Sequence, residues 1–145
     1  MKKTLLLASV SLFLITSCND DDKKPEDFLP GTWGISKFET HFGNGTVSQP
    51  TAPDNCQAQT VFAFGNNNQA TLELSSQVDG VCSIQEFKGN YDYDASKKWL
   101  MIHNDNETKV YEVISINASG LVIVNEQGDF DNDGKVDKIY AYLNK

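Results

Sequence analysis

Apolar and polar residues alternate along most of the chain with the period of half-buried β-strands. Eight segments follow this pattern or run apolar with β-branched and aromatic residues: TWGISKFETHF (32–42), QAQTVFAFG (57–65), QATLELSS (69–76), IQEFKGNYDYD (84–94), KWLMIH (98–103), TKVYEVISI (108–116), GLVIVNEQ (120–127) and KIYAYL (138–143). Asn, Gly, Asp and Ser fill the gaps, and no window of useful length carries the apolar stripe of a helix. The pattern therefore predicts an all-β fold.

The gaps between these segments are short, as in FGNNNQ at 64 to 69 and DYDASKKW at 92 to 99. Short connections join sequential strands as antiparallel hairpins. A meander of strands leaves two exposed edges unless it closes on itself. We therefore predict one domain over residues 29 to 145, an eight-stranded antiparallel up-and-down barrel.

The first residues have the composition of an export signal. Lys2 and Lys3 precede the apolar run TLLLASVSLFLI, which is too short to span a bilayer as a mature helix and is followed by small residues. The segment Ile15-Thr16-Ser17-Cys18 resembles a bacterial lipobox, and in that family the Cys is acylated and becomes the first residue after cleavage. The alternative is a buried core thiol. We predict a lipoprotein signal peptide over residues 1 to 17 and a lipid anchor at Cys18, which holds the mature protein on a membrane that it does not span.

Residues 18 to 28 read as an acidic tether. The stretch NDDDKKPEDF has almost no apolar content, so it cannot bury enough surface to offset the entropy of ordering it. The run Asp20-Asp21-Asp22 resembles the signal that sends some Gram-negative lipoproteins to the outer face of the outer membrane. A solvated linker is the alternative reading of that run. The expected location is the outer membrane, with exposure on the cell surface as the further possibility.

The charge balance limits the classes of partner. The chain carries 20 Asp and Glu against 12 Lys, and it has no Arg. Removal of Lys2 and Lys3 with the signal leaves a side-chain charge of about −10, which repels nucleic acid and anionic headgroups. Without Arg there is no bidentate clamp for phosphate or carboxylate. Polar ligands, apolar ligands and cations remain.

Two cysteines, Cys56 and Cys82, belong to the exported domain. In an oxidising compartment an even pair is most simply a disulfide, which here closes a loop of roughly 25 residues and stabilises the fold by about 3 kcal/mol. Free thiols are the alternative. No His or Cys follows either residue at the spacing of a zinc site.

The order of motifs resembles lipocalins. Gly31 and Trp33 in LPGTWGISKFE match the Gly-x-Trp signature of the first lipocalin strand, and the Cys pair and the later strands are similar to the short lipocalin-like domains of envelope lipoproteins. The resemblance covers roughly residues 29 to 145 and implies a barrel whose Trp closes one end, often under an Arg of the last strand. Because this chain has no Arg, Lys138 is the candidate cation over the indole. Trp33 itself is expected to be a core plug, with ligand contact as the alternative.

The segment GDFDNDGKVD has the spacing of a calcium loop. Asp129, Asp131 and Asp133 stand at positions one, three and five, Lys135 offers its carbonyl at seven, and Asp137 stands at nine. Crowded carboxylates repel one another unless a cation neutralises them, and Gly134 at position six supplies the positive φ of the turn. Position twelve is Tyr140 where an EF-hand has Glu, so the segment instead resembles the calcium hairpins of integrin-type repeat proteins. We predict structural Ca²⁺ bound here, with an acidic solvated turn as the alternative.

No motif of a catalytic site occurs in the sequence, so we expect a protein that is not an enzyme. The first hypothesis is a module that carries a small apolar or glycan ligand inside the barrel. The second is a protein- or glycan-binding structural component of a cell-surface complex, with a filled barrel and envelope protein partners. The residues expected to point inward favour a filled interior: Phe62, Phe64, Leu72, Leu74 and Phe87.

Overall fold

The computed structural model describes residues 23–145, which form a closed barrel of eight antiparallel strands in sequential order. The strands are β1 (Gly31–His41), β2 (Val61–Phe64), β3 (Gln69–Val78), β4 (Val81–Asp94), β5 (Trp99–His103), β6 (Thr108–Ile116), β7 (Gly120–Gly128) and β8 (Asp137–Asn144). The predicted all-β, eight-stranded barrel is confirmed. The predicted signal peptide, Cys18 and the run Asp20 to Asp22 lie outside the described residues.

Antiparallel pairing places the connections alternately at the two ends of the barrel. β1 pairs with β2 on one side and with β8 on the other, which closes the sheet. One end carries the connections 65–68, 95–98 and 117–119 together with both chain termini of the barrel, and we call it the closed end. The other end carries the connections 42–60, 79–80, 104–107 and 129–136, and we call it the open end.

The interior of the barrel is packed most tightly towards the closed end. Alternate residues of each strand point inward, so the core draws on every strand. Its buried members include Trp33, Phe62, Phe64, Leu72, Phe87, Leu100, Ile102, Val113, Leu121, Ile123 and Leu143. The predicted inward positions Phe62, Phe64, Leu72 and Phe87 are buried as expected, whereas Leu74 is only partly buried because it faces the open end.

The strand predicted from residue 57 begins instead at Val61. Residues Gln57–Gln59 form a short 3-10 helix, because the Asp54 carboxylate accepts hydrogen bonds from the backbone N–H groups of Cys56 and Gln57 and turns the chain. An isolated bridge pairs Phe38 of β1 with Thr51, in the connection 42–60 that follows this strand. The barrel wall beside the C-terminal half of β1 is therefore built from this loop and not from β2.

The order of the chain also starts earlier than the sequence predicted. Residues Pro25–Phe28, which we assigned to the flexible tether, form a 3-10 helix across the closed end. Leu29, which follows it, is fully buried in the core. The apolar side chain of Leu29 holds this segment against the closed end, so residues 25–28 of the predicted tether are ordered. Within residues 23–145 there is no helix with the length and apolar character needed to cross a membrane.

Candidate ligand and metal sites

The closed end is sealed around Trp33. The indole is fully buried, and its N–H donates to the carbonyl of Leu29 at 2.8 Å. The Nζ of Lys145 lies 4.6 Å from the centre of the indole and donates to the carbonyl of Phe28. Trp33 is thus the predicted core plug, but the predicted cation was wrong: Lys138 points to the outer face and pairs with Glu112 at 2.6 Å. The strand register turns residue 138 outward, and the chain's last residue reaches the indole instead.

A pocket of about 340 Å³ opens at the other end of the barrel, and we call it the mouth pocket. Its walls are apolar and come from six strands: Ile35, Phe38, Phe62, Leu74, Tyr111, Ile123 and Ala141. Its rim is polar and includes Asp54, Gln57, Thr60, Ser75, Ser76, Gln77, Asn125 and Glu126. The interior is therefore filled at one end and hollow at the other, since β2 is short and the loop that replaces it leaves space above Phe62.

Tyr111 is the polar group set into the apolar wall of the mouth pocket. Its ring packs edge-on against Phe62, with ring centres 5.5 Å apart. Burial, followed by the nearby charge of Glu107, raises the pKa of the Tyr111 phenol to about 12. Within residues 23–145, no group forms a hydrogen bond with its hydroxyl. The phenol thus stays protonated at neutral pH and is free to donate to a ligand.

Two hydroxyl residues mark the rim between β2 and β3. Thr60 Oγ1 accepts the backbone N–H of Ser75 at 3.0 Å, and both residues are buried. The Oγ of Ser75 is buried and has no partner among residues 23–145. An unpaired buried hydroxyl is costly, but Ser75 has the outward register of β3, opposite to Leu74 and Ser76, so its Oγ is not a group of the pocket interior.

The disulfide predicted between Cys56 and Cys82 is present, with the two Cα atoms 5.2 Å apart. It ties the loop that carries Asp54 and Gln57 to the start of β4. Since both of these residues line the mouth pocket, the disulfide fixes one side of the rim as well as closing a long loop.

The predicted calcium loop lies between β7 and β8 at the open end. Carboxylate oxygens of Asp129, Asp131 and Asp137 lie within 4.8 Å of one another, a spacing that can hold a metal ion. Asp133 is outside this group, and its Oδ1 accepts the backbone N–H of Lys135 at 2.9 Å. Gly134 has φ +81°, the positive value expected for it.

Asp137 connects this loop to the start of the connection 42–60 that follows β1. It is fully buried, and its two oxygens accept the backbone N–H groups of Gly43 at 2.8 Å and Phe130 at 2.7 Å. The hydrogen bond from Gly43 is the main reason that the pKa of Asp137 lies below its usual range. The pKa of Asp131 is raised instead, first by burial and then by neighbouring carboxylates that include Asp133 and Asp137. The loop thus collects negative charge against the β1–β8 seam.

Sequence reasoning located the disulfide pair, Trp33 and the aspartates, but it missed the residues of the mouth pocket. Tyr111 and Ser75 look like ordinary strand residues in the alternating pattern. Asp54 and Glu126 look like ordinary loop and surface acids. The inward register of Tyr111 was visible from its spacing to the apolar Val113, yet the short β2 that creates the space was not.

Comparison with known proteins gives the family. The model of the family described as lipocalin-like domain matches residues 29–123. No curated protein matches the chain.

Several solved structures align with this chain at low identity. A lipocalin-like protein from Bacteroides uniformis aligns with a TM-score of 0.45 and 14% identity, over 81% of this chain and 97% of that one. The bovine lipocalin allergen Bos d 2 gives a TM-score of 0.45 and 15% identity over 85% and 75% of the two chains. A complex of bovine odorant binding protein with undecanal gives 0.43 and 16% over 81% and 70%.

The family match covers more than half of the chain, and the strands form the closed antiparallel barrel that the first-strand Gly-x-Trp motif predicted. The chain belongs to the lipocalin-like domain family.

Proposed function

We propose that this protein is a lipid-anchored binding protein of the cell envelope that holds a small, largely apolar molecule in the mouth pocket and catalyses no reaction. The observation that carries this proposal is the hollow half of the barrel, with apolar walls, a polar rim and an unpaired tyrosine hydroxyl in the wall. Small-molecule sites in proteins combine these features in pockets of about 300 to 1,000 Å³. At about 340 Å³, the mouth pocket suits a slender ligand.

The expected affinity is modest. Each buried methylene contributes about 0.8 kcal/mol, and binding must first offset the lost freedom of the ligand. A chain of about ten carbons gains about 8 kcal/mol before that cost, so its dissociation constant is no tighter than the order of micromolar. The Tyr111 hydroxyl adds orientation more than affinity, because it replaces a hydrogen bond that the ligand made in water.

A structural role in a cell-surface complex is the second candidate. Val78, Val81 and Ile84 are exposed on the β3–β4 hairpin, which extends at the open end. Exposed apolar residues grouped on one element are typical of protein contact sites. This role is compatible with an empty mouth pocket, so ligand binding separates the two candidates.

The loop between β7 and β8 is proposed to hold structural Ca²⁺. Oxygen donors from Asp129, Asp131 and Asp137 are the ligand type that calcium prefers, and the predicted set adds Asp133 and the carbonyl of Lys135. An ion at this position neutralises the carboxylates beside the β1–β8 seam and so favours barrel closure. Neither the ion nor the lipid anchor at Cys18 takes part in chemistry.

The ligand proposal is tested by displacement of an apolar fluorophore, N-phenyl-1-naphthylamine, from the purified domain by 1-decanol. We expect saturable binding that 1-decanol reverses. Ser76→Trp should abolish binding, because Ser76 is exposed at the rim and its inward register points the indole into the pocket. The matched control is Thr71→Trp, on the outward register of the same strand, which should bind the fluorophore like the parent. Absence of saturable binding, or equal loss in both variants with intact folds, would contradict the proposal.

A further inference from the structure

We propose that the mouth pocket selects an apolar molecule with a cationic head, such as a long-chain ammonium, and discriminates against carboxylates. This inference rests on the proposed function, since it names the class of ligand for the same pocket. It follows from the charges of the rim and of the loops around it.

The charged residues that line the mouth pocket are both acids. They are Asp54 and Glu126, and both are exposed at the rim. One Asp54 oxygen accepts the N–H groups of Cys56 and Gln57, which leaves the other oxygen directed to solvent or ligand. Within the described chain, no hydrogen bond or ion pair is recorded for the Glu126 carboxylate. The lining thus offers negative charge to a ligand and no lysine.

The remaining loops of the open end strengthen the same field. Their acids are Asp79, Asp105, Glu107, Asp129, Asp131, Asp133 and, at the start of β8, Asp137. Of the lysines in or next to these loops, Lys135 is exposed and adds one positive charge, whereas Lys109 pairs with Glu107 at 2.7 Å and Lys138 pairs with Glu112 at 2.6 Å. Summed over the open end, the potential is negative, and such a field attracts cations to a concave site and repels anions.

The uncharged groups of the rim also suit an ammonium head. An ammonium has three donors and no acceptor, so it needs oxygen acceptors. The side-chain oxygens of Gln57, Gln77 and Asn125 provide three such acceptors. A carboxylate head has the opposite need, and it meets two carboxylates of the rim at close range.

The two charge effects act in opposite directions on the two heads. Opposite charges at the rim favour an alkylammonium, and like charges disfavour an alkylcarboxylate of the same length. For two exposed carboxylates at low ionic strength, the combined preference is about tenfold in dissociation constant, and salt reduces it. An alcohol of the same length, which feels neither effect, should fall between them.

The experiment measures displacement of the same fluorophore by decylammonium, 1-decanol and decanoate at neutral pH, low salt and with chelator present. We expect decylammonium to bind about tenfold more tightly than decanoate, with 1-decanol between them, and the spread to narrow on addition of about 0.5 M salt. Glu126→Gln should reduce the preference about threefold while the alcohol is unaffected. The matched control Asp92→Asn removes one charge from an outward position of β4 nearer the closed end and should leave the preference unchanged.

The outcomes separate the inference from the function that it refines. If all three compounds displace the fluorophore equally, or decanoate binds best, the mouth pocket binds ligands but the charge selection is refuted. If Glu126→Gln and Asp92→Asn change the preference equally, the effect belongs to net charge and not to the rim, which also refutes it. If none of the three binds, both the inference and the proposed function fail.

Discussion

At the scale of single residues, Glu39 organises the outer face of the seam between β1 and β8. Its two oxygens accept hydrogen bonds from Lys37 Nζ at 2.6 Å and from the Tyr142 hydroxyl. The bond from Lys37 is the main reason that the pKa of Glu39 lies below its usual range, and the bond from Tyr142 comes second. The same hydrogen bond, with burial, raises the pKa of Tyr142 to about 12. A hydrogen bond between an ionised carboxylate and a protonated phenol thus joins β1 to β8 across the seam.

We expect Glu39→Gln to lower the melting temperature near neutral pH. A carboxylate with a depressed pKa stabilises the fold above its unfolded pKa, and this contribution is lost as the pH falls through the folded pKa. The difference between parent and variant should therefore shrink below about pH 4. The raised Tyr142 pKa contributes below about pH 10, so alkaline absorbance titration should show one tyrosine returning towards that value in the variant.

The control for this prediction is Glu86→Gln. Glu86 pairs with Lys88 at 2.9 Å, but both side chains are more than half exposed, so little stability depends on the pair. A pH-independent loss in Glu39→Gln, or an unchanged tyrosine titration, would contradict the role given to Glu39.

Gly31 is required at its position by conformation and by space. It has φ +131°, in the region that favours glycine, and an added Cβ would lie 2.9 Å from Cε of Lys145. Lys145 is the residue that lies over Trp33, so the glycine of the Gly-x-Trp motif makes room for the cation at the closed end.

Gly31→Ala should therefore destabilise the domain by about 1 to 3 kcal/mol, the range for a side chain forced into such a backbone conformation. Gly34→Ala, three residues later in the same strand, is the matched control. Gly34 has no positive φ, and nothing lies within 4 Å of an added Cβ, so this change should be neutral or stabilising by a few tenths of a kcal/mol. Chemical denaturation of the two variants measures the contrast, and equal stabilities would refute it.

At the scale of elements, connections decide what the strands leave open. The eight strands differ in length from four residues in β2 to 14 in β4. Because β2 is short, the C-terminal half of β1 pairs with residues of the connection 42–60 instead. This replacement of strand by loop leaves the space of the mouth pocket. In the β7–β8 connection, the Asp137 carboxylate accepts the backbone N–H of Gly43. Asp129 and Asp131 lie close to that carboxylate.

Calcium should stabilise the barrel through this β7–β8 connection. Extracellular sites of this ligand type have dissociation constants of about 0.1 to 1 mM, so an excess of about tenfold adds roughly 1.4 kcal/mol and several degrees in melting temperature. Magnesium should do less, because it requires a smaller, near-octahedral site. Asp131→Ala should erase the calcium-dependent rise and leave the calcium-free melting temperature equal or higher, since it relieves repulsion among carboxylates.

Asp105→Ala is the control for the calcium prediction, because Asp105 is an exposed acid of another open-end loop and lies outside the cluster. It should keep the calcium-dependent rise. Equal melting curves in calcium and in chelator, at fixed ionic strength, would show that the loop is only a charged turn.

At the scale of the whole molecule, the two ends of the barrel differ in structure: one is closed by packed side chains and the other carries a pocket. The described chain enters at the closed end, through the 3-10 helix Pro25–Phe28 and the buried Leu29. The mouth pocket and the aspartate loop lie at the opposite end. The lipid anchor proposed at Cys18 would therefore attach the domain on the side of the closed end, with the mouth pocket at the opposite end.

We expect the mature protein to partition into detergent with the outer-membrane fraction and Cys18→Ala to abolish this. The reason is the lipobox-like segment, in which Cys18 stands at the position that is acylated in bacterial lipoproteins. Ser17→Ala, which keeps a small residue at the neighbouring position, is the control and should remain with the membrane. If the Cys18→Ala protein still fractionated with membrane, the anchor would lie elsewhere.

Surface exposure is a separate prediction that rests on Asp20, Asp21 and Asp22. Protease added to whole cells should remove the domain, and replacement of these three residues by Ala should protect it. Protection of the unchanged protein in intact cells would assign the run to a solvated linker.

The sequence by itself determined the elements that depend on local pattern. Alternation with a period of two fixed the strands to within a few residues in most cases, because one face of each strand must be buried. The Cys pair and Gly134 were also readable, since their chemistry and backbone preference are properties of single residues. The predicted start of β2 was wrong because the side chain of Asp54, in the preceding loop, accepts hydrogen bonds from backbone N–H groups that the strand would use.

The tertiary structure alone decided which end of the barrel is filled and which cation covers Trp33. Those outcomes depend on strand lengths and on the register of β8 against β1, which place Lys145 over the indole and Lys138 on the outer face. The tertiary structure also places Asp54 and Glu126, which are far apart in the chain, at the rim of the pocket that has Tyr111 in its wall. Local patterns specify which face of a strand is buried, whereas a cavity arises only where packed elements end at different heights.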